Sequence, residues 1–312
     1  MSVMVASTDQ GGPVVHVSLV KLRQRRDRWG WLFVAPFLIV FVCFLIAPLI
    51  YAFYMSLWKK GLVGGAHFAG FANYTRAFTD PIFIHGLERV LLYVLVMVPI
   101  QIGLGTIIAM ILDMLTTKLA RVSRLLIFLP YAVPAMVGAL MWSFLYSPNF
   151  GPITSIFRGL GLNAPNLLSS DNIFGSLVNV VTWQWVGYYM IIIFSALKAI
   201  DPSLYEASLL DGASTVQTAI HVKLPLIVPS LIMCTVFSLI GTLQFYTEPT
   251  ILRAAAPSAI PVTYTPNMYA ANLAFSQGLF NYAATISFAL GIIVFVGSYL
   301  FLFLTRKQSG LR

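Results

Sequence analysis

Charge is what this sequence has least of. Of its 312 residues only 9% are Asp, Glu, Lys or Arg, while 59% are hydrophobic; soluble domains carry roughly 25% charged residues. A soluble globular protein is thereby excluded. Cysteine is nearly absent: Cys43 and Cys234 are the only two, both inside apolar runs, so neither a disulfide framework nor a thiolate metal site is expected. The four histidines, His16, His67, His85 and His221, are scattered over a tail and loops. They join no nucleophile–base or paired-carboxylate arrangement, which argues against an enzyme. No G-x-x-x-x-G-K-[ST] phosphate loop occurs, so the chain is expected to hold no cofactor and to bind neither ATP nor Mg itself.

What is present is long apolar runs. Uncharged stretches cover 31–58, 90–112, 125–157, 172–197, 224–247 and 254–305, and about 20 apolar residues suffice to cross a bilayer as a helix. The expected fold is an all-α integral membrane protein with six spans, at roughly 31–57, 88–112, 125–147, 175–198, 225–248 and 282–305. The first run is nearly twice the length of a secretory signal's apolar core, so it reads as an uncleaved span. Residues 1–28 form a basic tail expected to be disordered and cytoplasmic, 29–308 the transmembrane domain, and 309–312 a short second tail.

The scarce charges are segregated. Thirteen of the 19 Lys and Arg, from Lys21–Arg28 through Lys118, Arg121, Arg124, Lys198 and Lys223 to Arg306–Arg312, fall on one side of the expected topology. By the positive-inside rule that side is the cytoplasm, with both termini there. The net charge of +9 is therefore topological: it suits an anionic inner leaflet of membrane lipid and points to no nucleic acid. Span interiors carry no ionisable group; Glu88, Arg89, Asp113 and Glu248 lie at edges. A carrier driven by protons or sodium normally places such groups inside. Between spans, 59–86, 147–172 and 257–281 read as loops, with Asp80-Pro81 turn-like. Pro130 and Pro134 fall in the third span, where a simple kink is favoured over a moving hinge.

Between the fourth and fifth spans lies a polar, helix-forming insert. Asp201-Pro202 is a helix start, with an Asp cap and Pro at the first helical position; Ser203 and Glu206 offer a capping box in another register. Gly212 can end this helix in the left-handed region. A second short helix, about 214–221, leads to Leu224-Pro225, where the fifth span begins. Local physics alone leaves two readings, an amphipathic connector on the membrane surface and a docking element.

The insert resembles the signature loop of permease subunits of bacterial binding-protein-dependent ABC importers, read as E-A-A-x3-G-x9-I-x-L-P. The matching positions are Glu206, Ala207, Gly212, Leu224 and Pro225, with Ser208 for the second Ala and Val222 for Ile. Further motifs resemble the carbohydrate (maltose/glycerol-phosphate) branch: Phe33-Val-Ala-Pro36, Pro48-x-x-Tyr51, Phe71-Ala-Asn-Tyr74, Leu129-Pro130-Tyr-Ala-Val-Pro134 and Asn281-Tyr282. One departure is Arg253-Ala-Ala-Ala-Pro257, where members often carry Gly-Gly-Gly-Pro. The resemblance implies a sugar importer in the bacterial inner membrane, containing a second homologous permease subunit, two cytoplasmic ATPase subunits that bind ATP and Mg, and an extracytoplasmic solute-binding protein. It also implies that the loop docks on the ATPase through Glu206, Ala207, Asp211 and Gly212. Importers of glycerol phosphate or polyamines, and an ion-coupled secondary transporter, stay open as alternatives.

Substrate contacts should be polar and aromatic groups sharing a helix face in the outer half. Asn179 with Trp183, and Gln244 with Glu248, have i, i+4 spacing. Trp183 could stack on a sugar ring while the amides bond its hydroxyls. The competing reading is that these side chains glue helices together.

Overall fold

The computed structural model describes residues 31–60, 65–115 and 118–306; the two expected tails lie outside these. Five helices among them are long and apolar enough to cross a membrane, and a bent pair counted as one span makes a sixth. The chain divides into two compact units, Met1–Met55 and Ser56–Arg312. The described part of the first unit is helical, within α1 (Trp31–Ser56). Its turn widens to π geometry over Val42–Ile46, just before Pro48, whose ring would otherwise collide with the carbonyl four residues back.

The second unit begins with a small hairpin, β1 (Trp58–Lys60) antiparallel to β2 (Ala66–Phe68), an addition to a fold that is otherwise helical, as expected. Asn73, in α2 (Ala72–Ala77), secures it by donating to the carbonyls of Ser56 and Trp58, each at 2.9 Å. Next comes α3 (Pro81–Met114), a helix of 34 residues, about 51 Å long at 1.5 Å per residue. It starts seven residues before the expected span. Asp80-Pro81 is thus a helix start instead of a turn: the Asp80 side chain accepts from the Ile82 N–H at 3.0 Å and Pro81 takes the first position. Glu88 and Arg89, expected at a span edge, stand well inside this helix.

The third span is broken. α4 (Lys118–Ala132) and α5 (Ala135–Leu145) meet at 98° across Val133-Pro134. Pro130 is carried inside α4, whereas Pro134 leaves the helix with ψ 134°. The expected kink is therefore a break, and Pro134 makes it: it offers no N–H, and it forces the residue before it out of the helical region. The freed carbonyl of Val133 accepts from Gln184 Nε2 at 3.1 Å.

The remaining elements are α6 (Pro152–Gly159), α7 (Ile173–Lys198), α8 (Pro202–Leu210), α9 (Thr215–Thr218), a π segment Ala219–Lys223, α10 (Leu224–Leu243), α11 (Thr247–Leu252), α12 (Pro266–Ala271) and α13 (Phe280–Thr305). Two expected loops, 147–172 and 257–281, thus contain the short helices α6 and α12. The core forms around α3 and α7, with Tyr93, Met97, Leu177 and Val180 among its fully buried residues. Close approach of α4 to α7 depends on Gly187: a Cβ there would collide with the Ile127 carbonyl oxygen. This is helix packing through a small residue, as membrane bundles use it.

Candidate coupling loop and translocation groove

The insert 201–225 folds as two capped helices. Asp201 Oδ1 accepts from the Ser203 N–H at 2.9 Å and Pro202 follows as the first helical residue. These hydrogen bonds from Ser203 hold the exposed Asp201 carboxyl below the usual aspartate range. The Ser203–Glu206 box does not form; the capping box lies instead at Ser214 and Gln217, with reciprocal bonds of 3.3 and 2.7 Å. α8 ends at Gly212, φ +76°, with the Ala213 N–H on the Ser208 carbonyl at 3.0 Å and the Gly212 N–H on Leu209 at 3.1 Å. That pair of bonds is a Schellman cap. α9 does not stop before the fifth span. It runs on through the π segment Ala219–Lys223 into α10, so Pro225 lies within continuous helix. The widened turn again comes just before the proline, as it does before Pro48.

α8 is bound to the bundle by one side and bare on the other. The Tyr205 hydroxyl donates to the Leu197 carbonyl at 3.2 Å, and Ser208 and Thr218 share a buried hydroxyl pair at 3.0 Å. Glu206, Ala207, Asp211 and Gly212 are exposed, as are the apolar Leu209 and Leu210. Leu224 is half-buried and Pro225 exposed.

Behind the loop sits an ion cluster that sequence reasoning missed. The buried Asp113, at the end of α3, places Oδ1 2.6 Å from Lys198 Nζ and Oδ2 2.6 Å from Lys223 Nζ. Lys223 also lies 4.7 Å from the centre of the Tyr205 ring, near enough for a cation–π contact. Burial first, and then the Asp113 charge, push the Tyr205 hydroxyl above the usual tyrosine range. Sequence spacing held no signal for this cluster, since its members are 85 and 110 residues apart.

The four candidate pathway residues separate. Asn179 Nδ2 donates to the Tyr146 hydroxyl at 2.7 Å, and Trp183 meets Trp142 edge-on at 5.7 Å. Both are engaged with the α5 region, the gluing geometry. Gln244 and Glu248 do not share a helix face, because α10 ends at Leu243 and α11 begins at Thr247. Pro249 accounts for the break: in an unbroken helix its ring would strike the Phe245 carbonyl. Glu248 is buried instead of interfacial, 7% exposed, in α11, which packs on α5. Among the described residues no cation pairs with it.

Gln244 lines a groove of about 560 Å³ between α10 and α13 whose wall is mainly aliphatic, from Val236 and Ile240 to Leu290 and Val294, with Asn267, Ser287, Ser298 and Tyr299 supplying polar groups. A second hollow of about 550 Å³ shares Asn267 and Ser287 and adds Tyr246, Phe275 and Phe280. A third, about 210 Å³, continues past Tyr246 and Phe275 to Arg253. Tyr246, Phe275 and Phe280 with Asn267 and Ser287 in the second hollow are groups that can stack on and hydrogen-bond a polar solute such as a carbohydrate. Of the four candidates, only Gln244 lines these hollows.

Proline-broken membrane helices, a largely apolar groove carrying a few hydrogen-bonding groups and a capped two-helix loop fit a class, the membrane-spanning subunit of a transporter. Residues 101–309 match the model of the binding-protein-dependent transport system inner membrane component family, and the chain belongs to that family. It is accordingly a multi-pass membrane permease. The chain is 29% identical over 293 residues to the lactose transport system permease protein LacF of Rhizobium radiobacter, covering 92% of this chain and 97% of that one. It is 28% identical over 289 residues to the diacetylchitobiose uptake system permease protein NgcF of Streptomyces coelicolor, covering 88% and 81%. Among solved structures, a chain of a bacterial alginate ABC transporter in complex with an alginate pentasaccharide-bound periplasmic protein shares the fold, with a TM-score of 0.81 at 20% identity over 94% of this chain and 98% of that one.

Proposed function

We propose that this chain is the membrane-spanning subunit of an ATP-driven sugar importer, forming half of a translocation pathway and coupling it to a cytoplasmic ATPase. The observation that carries the coupling is the α8–Gly212–α9 element. It is capped at both of its helix starts, locked by a Schellman turn and continuous with the fifth span, while its outward face is bare. A rigid helix held in a partner's groove can transmit that partner's closure as a body movement. Glu206, Ala207, Asp211 and Gly212 make the contact, and Leu224 and Pro225 pass the motion into α10. The sugar class is supported by the lactose and diacetylchitobiose permeases to which the chain is similar and by the aromatic and amide lining of the second hollow.

The complete machine pairs this permease with a second, homologous one, since six spans alone enclose a narrow pathway. Two ATPase subunits hold the ATP and Mg, and an extracytoplasmic binding protein delivers the solute. The coupling-loop end and both termini face the cytoplasm in this reading, which the basic residues clustered at that end support through the positive-inside rule.

The test is uptake by the reconstituted complex. Glu206→Lys reverses a docking charge, and Gly212→Pro forbids the left-handed cap because proline fixes φ near −65°. Both variants should insert into the membrane normally, with uptake lost. Unimpaired uptake in Glu206→Lys would sink the docking assignment.

A further inference from the structure

α8 is joined through the chain to α7, by residues 199–201, and to α10, by residues 211–223. α3 has no such link. Along its length α3 packs closely on α7, with Gly105 against Tyr189 and Met190, and it is tied to α10 where the Ser238 hydroxyl donates to Gln101 Oε1 at 2.7 Å. What fixes the end of α3 against the loop is Asp113, whose two oxygens meet ammonium groups at the end of α7 and just before α10, both at 2.6 Å. The side chain of Asp113 is 4% exposed and that of Lys223 12%, so solvent ions screen this contact weakly. Lys223 is in turn covered by the ring of Tyr205, from α8 itself, and Tyr205 is tied to the Leu197 carbonyl. The chain of contacts from loop to span is thus Tyr205, Lys223, Asp113.

We propose that Asp113 is the positioning residue that makes the loop-side end of α3 move with the coupling helix, so that a push received by α8 reaches the adjoining ends of α3, α7 and α10 as one body. The proposal rests on the docking reading of α8. It assigns to Asp113 a role in transmission, where a residue serving stability alone would leave coupling efficiency unchanged.

The experiment uses the complete importer reconstituted in liposomes. In Asp113→Asn, ATPase activity should stay within about twofold of the native rate while uptake falls about tenfold, with Asp113→Glu restoring most of it. Native uptake in Asp113→Asn overturns the proposal. So does parallel loss of ATPase activity and uptake from an assembled complex. A second measurement does not depend on the variant folding. Spin labels at Ser203 on α8 and Ile111 on α3, in a chain carrying Cys43→Ala and Cys234→Ala, should keep one separation in the nucleotide-free and vanadate-trapped states. A change of more than about 3 Å between those states, larger than a typical interface helix shift, overturns the rigid body. Retained uptake in Glu206→Lys would remove the docking reading alone, while the label separation still decides whether α3 and α8 move together.

Discussion

The two ends of α3 each carry a buried or half-buried aspartate, and they are satisfied in opposite ways. At the start, Asp80 caps the helix: Oδ1 accepts from the Ile82 N–H at 3.0 Å, and Oδ2 accepts from the hydroxyls of Tyr269 and Tyr282 at 2.8 and 2.7 Å. At the other end, Asp113 is gripped by two ammonium groups. The helix dipole explains the difference. A carboxylate at the N-terminus is already favoured by about half a positive charge, so neutral donors suffice; at the C-terminus the same field repels it, and cations are required. One end is a static cap and the other a charged joint, which matches a helix whose inner end alone adjoins the coupling loop.

The comparison is broken most severely at Lys223. Lys223→Met leaves the buried Asp113 with only the half-exposed Lys198, and removing one partner of a buried pair costs about 3–5 kcal/mol. Thermal unfolding of the detergent-purified complex should show this as the largest loss of any single change at either end. A cost below about 1 kcal/mol would place the joint in the weak class of surface pairs.

Asp80 should be the milder case. Asp80→Asn keeps a side-chain oxygen for the cap, worth about 0.5–2 kcal/mol, and for one of the two hydroxyls, so it should cost less than Lys223→Met. pH sharpens the contrast. Burial pushes the Asp80 carboxyl up, but the hydrogen bonds from Tyr282, Tyr269 and the Ile82 and Phe83 N–H groups outweigh it and hold the group below the usual aspartate range. A depressed folded value means the carboxylate's contribution is complete above the unfolded value near about 3.9 and is lost as the pH falls through the folded one. The stability gap between the native chain and Asp80→Asn should therefore close below about pH 4, and a gap that persists there would deny the tyrosine clamp.

These two ends also show what a sequence makes legible. Asp80-Pro81 and Asp201-Pro202 are the same dipeptide with the same helix-starting chemistry. Only the second reads as a helix start, because the apolar run ends at Glu88 and Arg89, while α3 extends beyond that run. The breaks at Val133-Pro134 and before Pro249 follow from local rules, since each proline acts on the residue before it or on the carbonyl four back. The Ser214–Gln217 box is equally local. Partners across the bundle are another matter. Asp113 reads as an edge residue because its cations are 85 and 110 positions away. Asn179 and Trp183 read as pathway groups because helical spacing shows which residues share a face and not what that face meets, here Tyr146 and Trp142.

The smallest effect should come from the other arm of the inner joint. Lys198 binds Asp113 at the same 2.6 Å as Lys223 does, yet its side chain is 54% exposed against 12%. Equal distance does not mean equal strength, because the field around an exposed ammonium is screened by water and salt, and its long side chain loses rotamer freedom to hold the pair. Lys198→Gln should cost less than about 1 kcal/mol, and raising salt from about 0.1 to 1 M, which shortens the screening length from about 10 to 3 Å, should shrink that cost further while leaving the Lys223→Met deficit nearly unchanged. Were the two lysines to respond alike to salt, the joint would be a solvated surface pair, and the asymmetry between the ends of α3 would reduce to geometry without energetic consequence.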